Sequence, residues 1–210
     1  MSEGMLGNLP LSEIRGPRGD FEEKLAGADG SQWLAAFKRF LRRENPWELT
    51  ACNFMTWKTI KLGTGIKTAD DFRRAFKATG CRIGNLASDI LDKPAFTASD
   101  TEMELDLFNV SVAELGFKDG ATRRDIYMRA LKLGLELCPN ETGPQLRLQY
   151  QDQPRGEWLL IGMEPIRSSD GGLSIFNVVH GNDELWLYGC NGNPDDLWDS
   201  GDRFVFCRRK

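Results

Sequence analysis

The residues whose types could carry chemistry gather near the carboxyl end. From Leu187 to Asp202 the chain reads Leu-Tyr-Gly-Cys-Asn-Gly-Asn-Pro-Asp-Asp-Leu-Trp-Asp-Ser-Gly-Asp, with no Lys, Glu, Gln, Met or His. Asp195, Asp196, Asp199 and Asp202 supply carboxylates, but a glycosidase needs two of them held across a cleft with their proton affinities pushed apart. Acids crowded into one polar stretch with Asn, Gly and Pro read instead as solvated turn formers. His180, the one histidine of the chain, has no flanking nucleophile motif, so Ser/His/Asp catalysis lacks its base. What remains is a tyrosine among small hydrogen-bonding side chains, which is the composition of a contact surface.

Metal and redox chemistry find little more. The five cysteines, Cys52, Cys81, Cys138, Cys190 and Cys207, have no C-x-x-C spacing and are odd in number. Reduced thiols are therefore expected, although Cys190 and Cys207 could meet across a hairpin. One histidine and scattered cysteines do not make a zinc site. Gly63-Thr-Gly-Ile-Lys-Thr68 superficially suggests a phosphate loop but lacks the first glycine at the required offset. Neither a metal nor a cofactor is expected.

Bulk properties narrow the classes further. The chain has 210 residues, 40% hydrophobic and 28% charged, with a formal net charge of −4. That balance is ordinary for a globular protein and gives no electrostatic case for broad nucleic-acid binding. No run reaches the length of a membrane span and no export signal opens the chain, so a cytoplasmic protein is expected.

The elements that must position the terminal segment follow from pattern and punctuation. Residues 1–19 hold several Gly and Pro and read as flexible, with a short helix over 20–27. Ser31 is an N-cap candidate for a helix reaching Arg43, with Trp33, Phe37, Phe40 and Leu41 on one face and Lys38, Arg39, Arg42 and Arg43 mostly opposite. Thr68 with Asp71 forms a capping box for a helix that stops at Gly80, and Thr122 with Asp125 opens another that stops at Gly134. A helix over Asn85 to Leu91, a strand over Met103 to Glu114 and a short helix from about Thr142 come next. Strands over Trp158–Ile166, Leu173–His180, Glu184–Cys190 and Arg203–Arg208 complete the chain, separated by Asp/Gly/Asn turns. The fold class is α+β, with a mainly helical region over 1–98 and an antiparallel-sheet domain over 99–210.

Ala130-Leu-Lys-Leu-Gly-Leu-Glu-Leu-Cys-Pro139, followed by Glu141 to Tyr150 and then the strands, resembles the C-type-lectin fold in its formylglycine-generating-enzyme-like version. With the terminal segment, the chain is similar to the variable proteins diversified by retroelements through adenine-directed mutagenesis. The resemblance implies a hypervariable ligand-binding set of Tyr188, Gly189, Cys190, Asn191, Asn193, Asp195, Asp196, Leu197, Asp199, Ser200 and Asp202. It implies a fixed frame of Trp186, Gly192, Pro194, Trp198, Arg203, Phe204 and Phe206. Asn193-Pro-Asp195 lacks the Trp-Asn-Asp partner of calcium-dependent lectins, and six to eight oxygen ligands cannot be assembled. The paired catalytic cysteines of formylglycine-generating enzymes have no evident counterpart.

On residue types, Trp186 and Trp198 should bury their rings on the sheet, Phe204 and Phe206 should alternate into the core, and Arg203 should anchor a carboxylate such as Asp199. The expected function is non-enzymatic binding of a protein ligand through the terminal loop. Two alternatives are a nucleic-acid-associated regulatory module using the basic helix Lys38–Arg43, and a small formylglycine-generating-enzyme-like oxidase.

Overall fold

The computed structural model describes residues 5–6, 9–42 and 54–209. The chain divides into two units, Met1–Leu49 and Thr50–Lys210. Arg43, Pro46 and Cys52 lie outside the described residues.

In the first unit, β1 (Met5–Leu6) pairs antiparallel with β2 (Leu9–Pro10), and α1 (Leu11–Ala26) and α2 (Gly30–Leu41) follow. Helix α1 passes through Gly16 and Pro17, where a flexible stretch was expected. It packs on α2 through Phe21 and Phe37, whose ring centroids are 4.6 Å apart. The N-cap of α2 is Asp29 rather than Ser31, and it makes no side-chain cap bond. The apolar stripe of α2 is largely uncovered: Ala36 is buried, but Phe40 and Leu41 are 62% and 64% exposed.

The second unit contains β3 (Lys58–Leu62), α3 (Ala69–Thr79), β4 (Arg82–Ile83), α4 (Asn85–Leu91) and β5 (Met103–Ser111). Next come β6 (Ala121–Thr122), α5 (Arg123–Lys132), α6 (Thr142–Gln149), β7 (Trp158–Ile161) and β8 (Ile166–Arg167). Last are β9 (Leu173–Gly181), β10 (Glu184–Asn191), β11 (Leu197–Trp198) and β12 (Arg203–Arg209). The class is α+β. The main sheet runs β3-β5-β12-β7-β9-β10-β4, with β8 added to β9, and β11 pairs separately with β6. Only β12–β7 and β10–β4 are parallel pairs in it. The expected boundary at residues 98 and 99 falls inside this unit, because β3 pairs with β5 and β4 with β10.

Local chemistry explains the elements. Thr68 accepts from the Asp71 backbone N–H while Asp71 accepts from the Thr68 backbone N–H, and Gly80 ends α3 in a left-handed conformation. Phe72 and Phe76 of α3 are buried, as the periodicity requires. Thr122 caps α5 through the Asp125 backbone N–H. The expected strand Trp158–Ile166 is broken into β7 and β8, since Pro165 has no N–H for the ladder. Phe204 and Phe206 of β12 are fully buried as expected, and Val205 between them is fully buried too, so both faces of the strand are covered.

Helix α6 joins the loops to the sheet. The buried Glu141 carboxylate at its start accepts from Gly63 N–H at 3.0 Å, Ser99 N–H at 2.8 Å and Gln145 Nε2 at 2.8 Å. At its other end Gln149 Oε1 accepts from Lys61 N–H at 2.8 Å, and Gln149 Nε2 donates to Lys61 O at 2.7 Å. That side-chain amide takes the place of a neighbouring strand at the β3 edge.

Candidate functional site

Strand β10 divides the proposed contact residues between two environments. Leu187 is fully buried, and a Cβ at Gly189 would stand 2.8 Å from Leu86 Cγ and 3.0 Å from Ala87 N of α4. Gly189 is therefore a point of close helix–strand approach and not a surface residue. Trp186 and Tyr188 are next-but-one on the strand and stack face to face, with centroids 4.8 Å apart and planes 3° from parallel. The Tyr188 ring also lies against Gly84, where a Cβ would come within 2.4 Å of it. The two rings form a half-buried stack, so Trp186 buries only part of the ring area expected on the sheet. Cys190 lies deeper: its Sγ is 3.8 Å from Ile175 O, and burial, aided by the charge of Asp202, pushes the thiol up to about 12.

Beyond β10 the chain forms an exposed loop whose path is fixed by main-chain bonds. Gly192 N–H donates to Leu173 O at 2.7 Å. Pro194 O and Asp196 O accept from the first N–H groups of α5, Arg124 and Arg123, at 3.0 Å each. Leu197 and Trp198 pair with Thr122 and Ala121. Ser200 O and Asp202 O accept from Ala113 and Val112 at 2.9 Å. Asn191, Asn193, Asp195, Leu197 and Asp199 are exposed between these anchors, and Asp196, Ser200 and Asp202 are half-buried. Leu197 is 79% exposed.

Several of these side chains serve the backbone. Asn191 Oδ1 accepts from Asn193 N–H at 3.0 Å, Asn193 Oδ1 from Asp195 N–H at 3.2 Å, and Asp202 Oδ2 from Asp199 N–H at 2.8 Å. They are the turn formers that residue type suggests. Asp195 pairs with Arg124 at 2.7 Å. Asp196, Leu197 and Asp199 extend from the loop with no side-chain hydrogen bond or ion pair among the described residues.

The loop rests on an aromatic floor. Trp198 meets Phe204 edge-on at 5.6 Å and 86°, and Tyr127 of α5 meets Phe204 and Phe206 edge-on at 6.2 and 5.8 Å. The Tyr127 hydroxyl donates to Met163 O at 3.0 Å and accepts from Met163 N–H at 3.1 Å. The Arg123 guanidinium lies 4.6 Å above the Tyr127 ring. Arg203 does not reach Asp199: its Nε donates to Asn109 Oδ1 at 2.8 Å, and its Nη2 pairs with Glu114 at 3.3 Å. Asp199 is instead held through its own backbone N–H by Asp202.

Sequence reasoning overlooked Arg123, which is only 8% exposed, and Asn177, a fully buried residue paired with Tyr188 across β9 and β10. A signal for Arg123 existed, since Ile126, Tyr127 and Ala130 follow it at helical spacing on the buried face of α5. Asn177 sits within the otherwise apolar run 175–179 of β9 and carries no such mark.

Other chemistry is located as follows. Cys81, Cys138, Cys190 and Cys207 are free thiols, so Cys190 and Cys207 are not bridged. Cys207 faces the Leu137 carbonyl and Cys138 the Val205 carbonyl, at 3.3 and 3.4 Å. Burial, with Cys207 beside it, raises the Cys138 thiol well above its ordinary value. Half-buried His180 has Nδ1 2.6 Å from Gln153 O. No group of three or more His, Cys, Asp or Glu side chains among the described residues is arranged for a metal ion. No helix among them is long and apolar enough to cross a membrane. The chain matches no family model, no curated protein and no solved structure.

Proposed function

We propose that the chain is a non-enzymatic binding protein whose loop from Asn191 to Asp202 is the recognition surface for a protein ligand. One observation carries the reading. Main-chain bonds to β6, β9, α5 and the turn that follows β5 fix the loop's path, while the side chains of Asp196, Leu197 and Asp199 make no hydrogen bond or ion pair among the described residues. A surface built this way can exchange side chains without losing its shape, and preorganisation of this kind is how antibody loops limit the entropy cost of binding. The half-buried Trp186–Tyr188 stack supplies a second, rigid aromatic element on the adjoining strand.

This reading is compatible with a C-type-lectin-like domain and with diversification by a retroelement, and the loop is where such rewriting would act. Gly189 and Cys190 belong to its structural margin rather than to its contact set.

The test is a library in which Asp195, Asp196, Leu197 and Asp199 are randomised together with the frame unchanged. Most members should unfold within a few degrees of the parent, and ligand binding should change from member to member. A library in which most members lose cooperative unfolding would reject the reading. On the DNA side, a near-copy of the terminal coding stretch differing at adenines, beside a reverse-transcriptase gene, is the outcome expected for retroelement diversification.

A further inference from the structure

Two donors beneath the loop have no acceptor. Arg123 is more than nine-tenths buried, its Nε is enclosed without a hydrogen-bond partner, and its side chain makes no ion pair among the described residues. Its neighbour is Tyr127, whose ring it covers and whose hydroxyl, bonded to both main-chain groups of Met163, also interacts with the guanidinium but leaves Nε unpartnered. The indole Nε1 of Trp198 is likewise enclosed and unpartnered. The two side chains are linked through the aromatic floor by two intervening rings, Arg123 on Tyr127, Tyr127 on Phe204 and Phe204 against Trp198. Each is also tied to the loop by its backbone, Arg123 N–H to Asp196 O and Trp198 to Ala121 across the β6–β11 ladder.

The chemistry of these groups limits what would complete them. Guanidinium and indole N–H groups donate and do not accept, so the missing partner is an acceptor. A buried cation without a counter-charge is costly, and the face of one phenol offsets only part of that. The planar fork of a guanidinium matches the two oxygens of a carboxylate. Asp196 sits across the ladder yet makes no ion pair with Arg123, and Asp195 is spent on Arg124. A singly charged acceptor suits this acidic rim better than a dianion.

We propose that Arg123, assisted by the Trp198 indole N–H, is a carboxylate-binding subsite at the base of the recognition loop. The ligand lying on the loop places there a carboxylate from an acidic side chain or from a chain terminus. The proposal rests on the loop being a recognition surface, but its test reads Arg123 independently. Failure of the test leaves the exchangeable loop standing, and failure of the loop library does not touch the subsite measurement.

The experiment is a titration of the full chain with sodium acetate at constant ionic strength, followed through the Arg123 Nε–H and Trp198 Nε1–H resonances, with acetamide as the uncharged isostere. Both resonances should move along one saturable curve with acetate and stay still with acetamide. Arg123→Lys should weaken acetate binding about tenfold, because the fork is lost while the charge is kept. Asp196→Asn should strengthen it several-fold, and this variant serves if Arg123→Lys does not fold. N-acetylglycine and an acetyl-aspartyl amide then compare a chain terminus with a side chain, and either binding more tightly supports the subsite and names its source. Resonances that acetate leaves unmoved, an equal response to acetamide, or tighter binding of inorganic phosphate than of acetate would overturn the proposal.

Discussion

Trp198 stands edge-on to Phe204, with ring centroids 5.6 Å apart and planes at 86°. The contact joins the two-residue ladder that carries the loop to the buried centre of β12. Trp198→Ala should lower stability by about 3 kcal/mol, toward the lower end for large aromatics because the ring is only partly buried. Leu197→Ala, one residue away and exposed, should be thermally neutral. Denaturant unfolding of both variants checks the contrast, and a neutral Trp198→Ala would remove the ring from the frame.

Gly189 is a point of close packing between α4 and β10. A side chain there would press on Leu86 and on the backbone of Ala87. Gly189→Ala should therefore destabilise by about 1–3 kcal/mol, the ordinary range for overpacking. Asp199→Ala should leave the melting temperature unchanged. If both behave alike in thermal unfolding, close packing of α4 on β10 does not constrain that position.

Arg147 is fully buried, and its guanidinium donates to neutral oxygens, Gln153 Oε1 at 2.5 Å, Val179 O at 3.4 Å and Tyr150 O, with the Cys81 thiol beside it. Burial lowers its proton affinity. Gln153→Leu leaves the cation short of an acceptor and should cost about 3 kcal/mol. Arg147→Met removes the charge along with the need for partners and should cost less. Urea midpoints give the order, and the reverse order would refute the account.

The turn 168–172 is latched to α4 by Asp89, which accepts from Ser169 N–H at 2.7 Å and from the Ser169 hydroxyl, and pairs with Lys93 at 2.9 Å. The Ser169 bonds first, and Lys93 after them, hold its carboxyl down to about 2 from an ordinary 3.8. A folded value below the unfolded one means that the latch favours folding above about 3.8 and that this contribution is lost as pH falls through about 2. Amide exchange at Ser169, corrected for its intrinsic pH dependence, should accelerate between pH 4 and pH 2. Asp89→Asn should abolish that step.

Much of this architecture is legible in the residues. Thr68 with Asp71 and Thr122 with Asp125 announce helix starts because a short hydroxyl side chain satisfies an orphan N–H locally. Gly80 ends its helix for an equally local reason. The loop is legible as an exposed polar turn, since Asn191 and Asn193 bond to backbone two residues ahead. What pattern cannot convey is set by long-range packing. That Val205 is buried along with Phe204 and Phe206 depends on elements distant in sequence covering the second face of β12. Arg203 finds Asn109 and Glu114, from the opposite half of the unit, instead of its near neighbour Asp199. Gly189 and Cys190 look like loop residues by type, and only the approach of α4 and β9 gives them other duties.

The Gln149 amide on Lys61 has a bearing on how copies of this chain meet. A sheet margin with free N–H and C=O groups invites a second molecule to zip on, and the process repeats without limit. Here both groups of Lys61 are already satisfied by a side chain that has no further backbone to offer. Edge-to-edge polymerisation at that margin must first peel the end of α6 away.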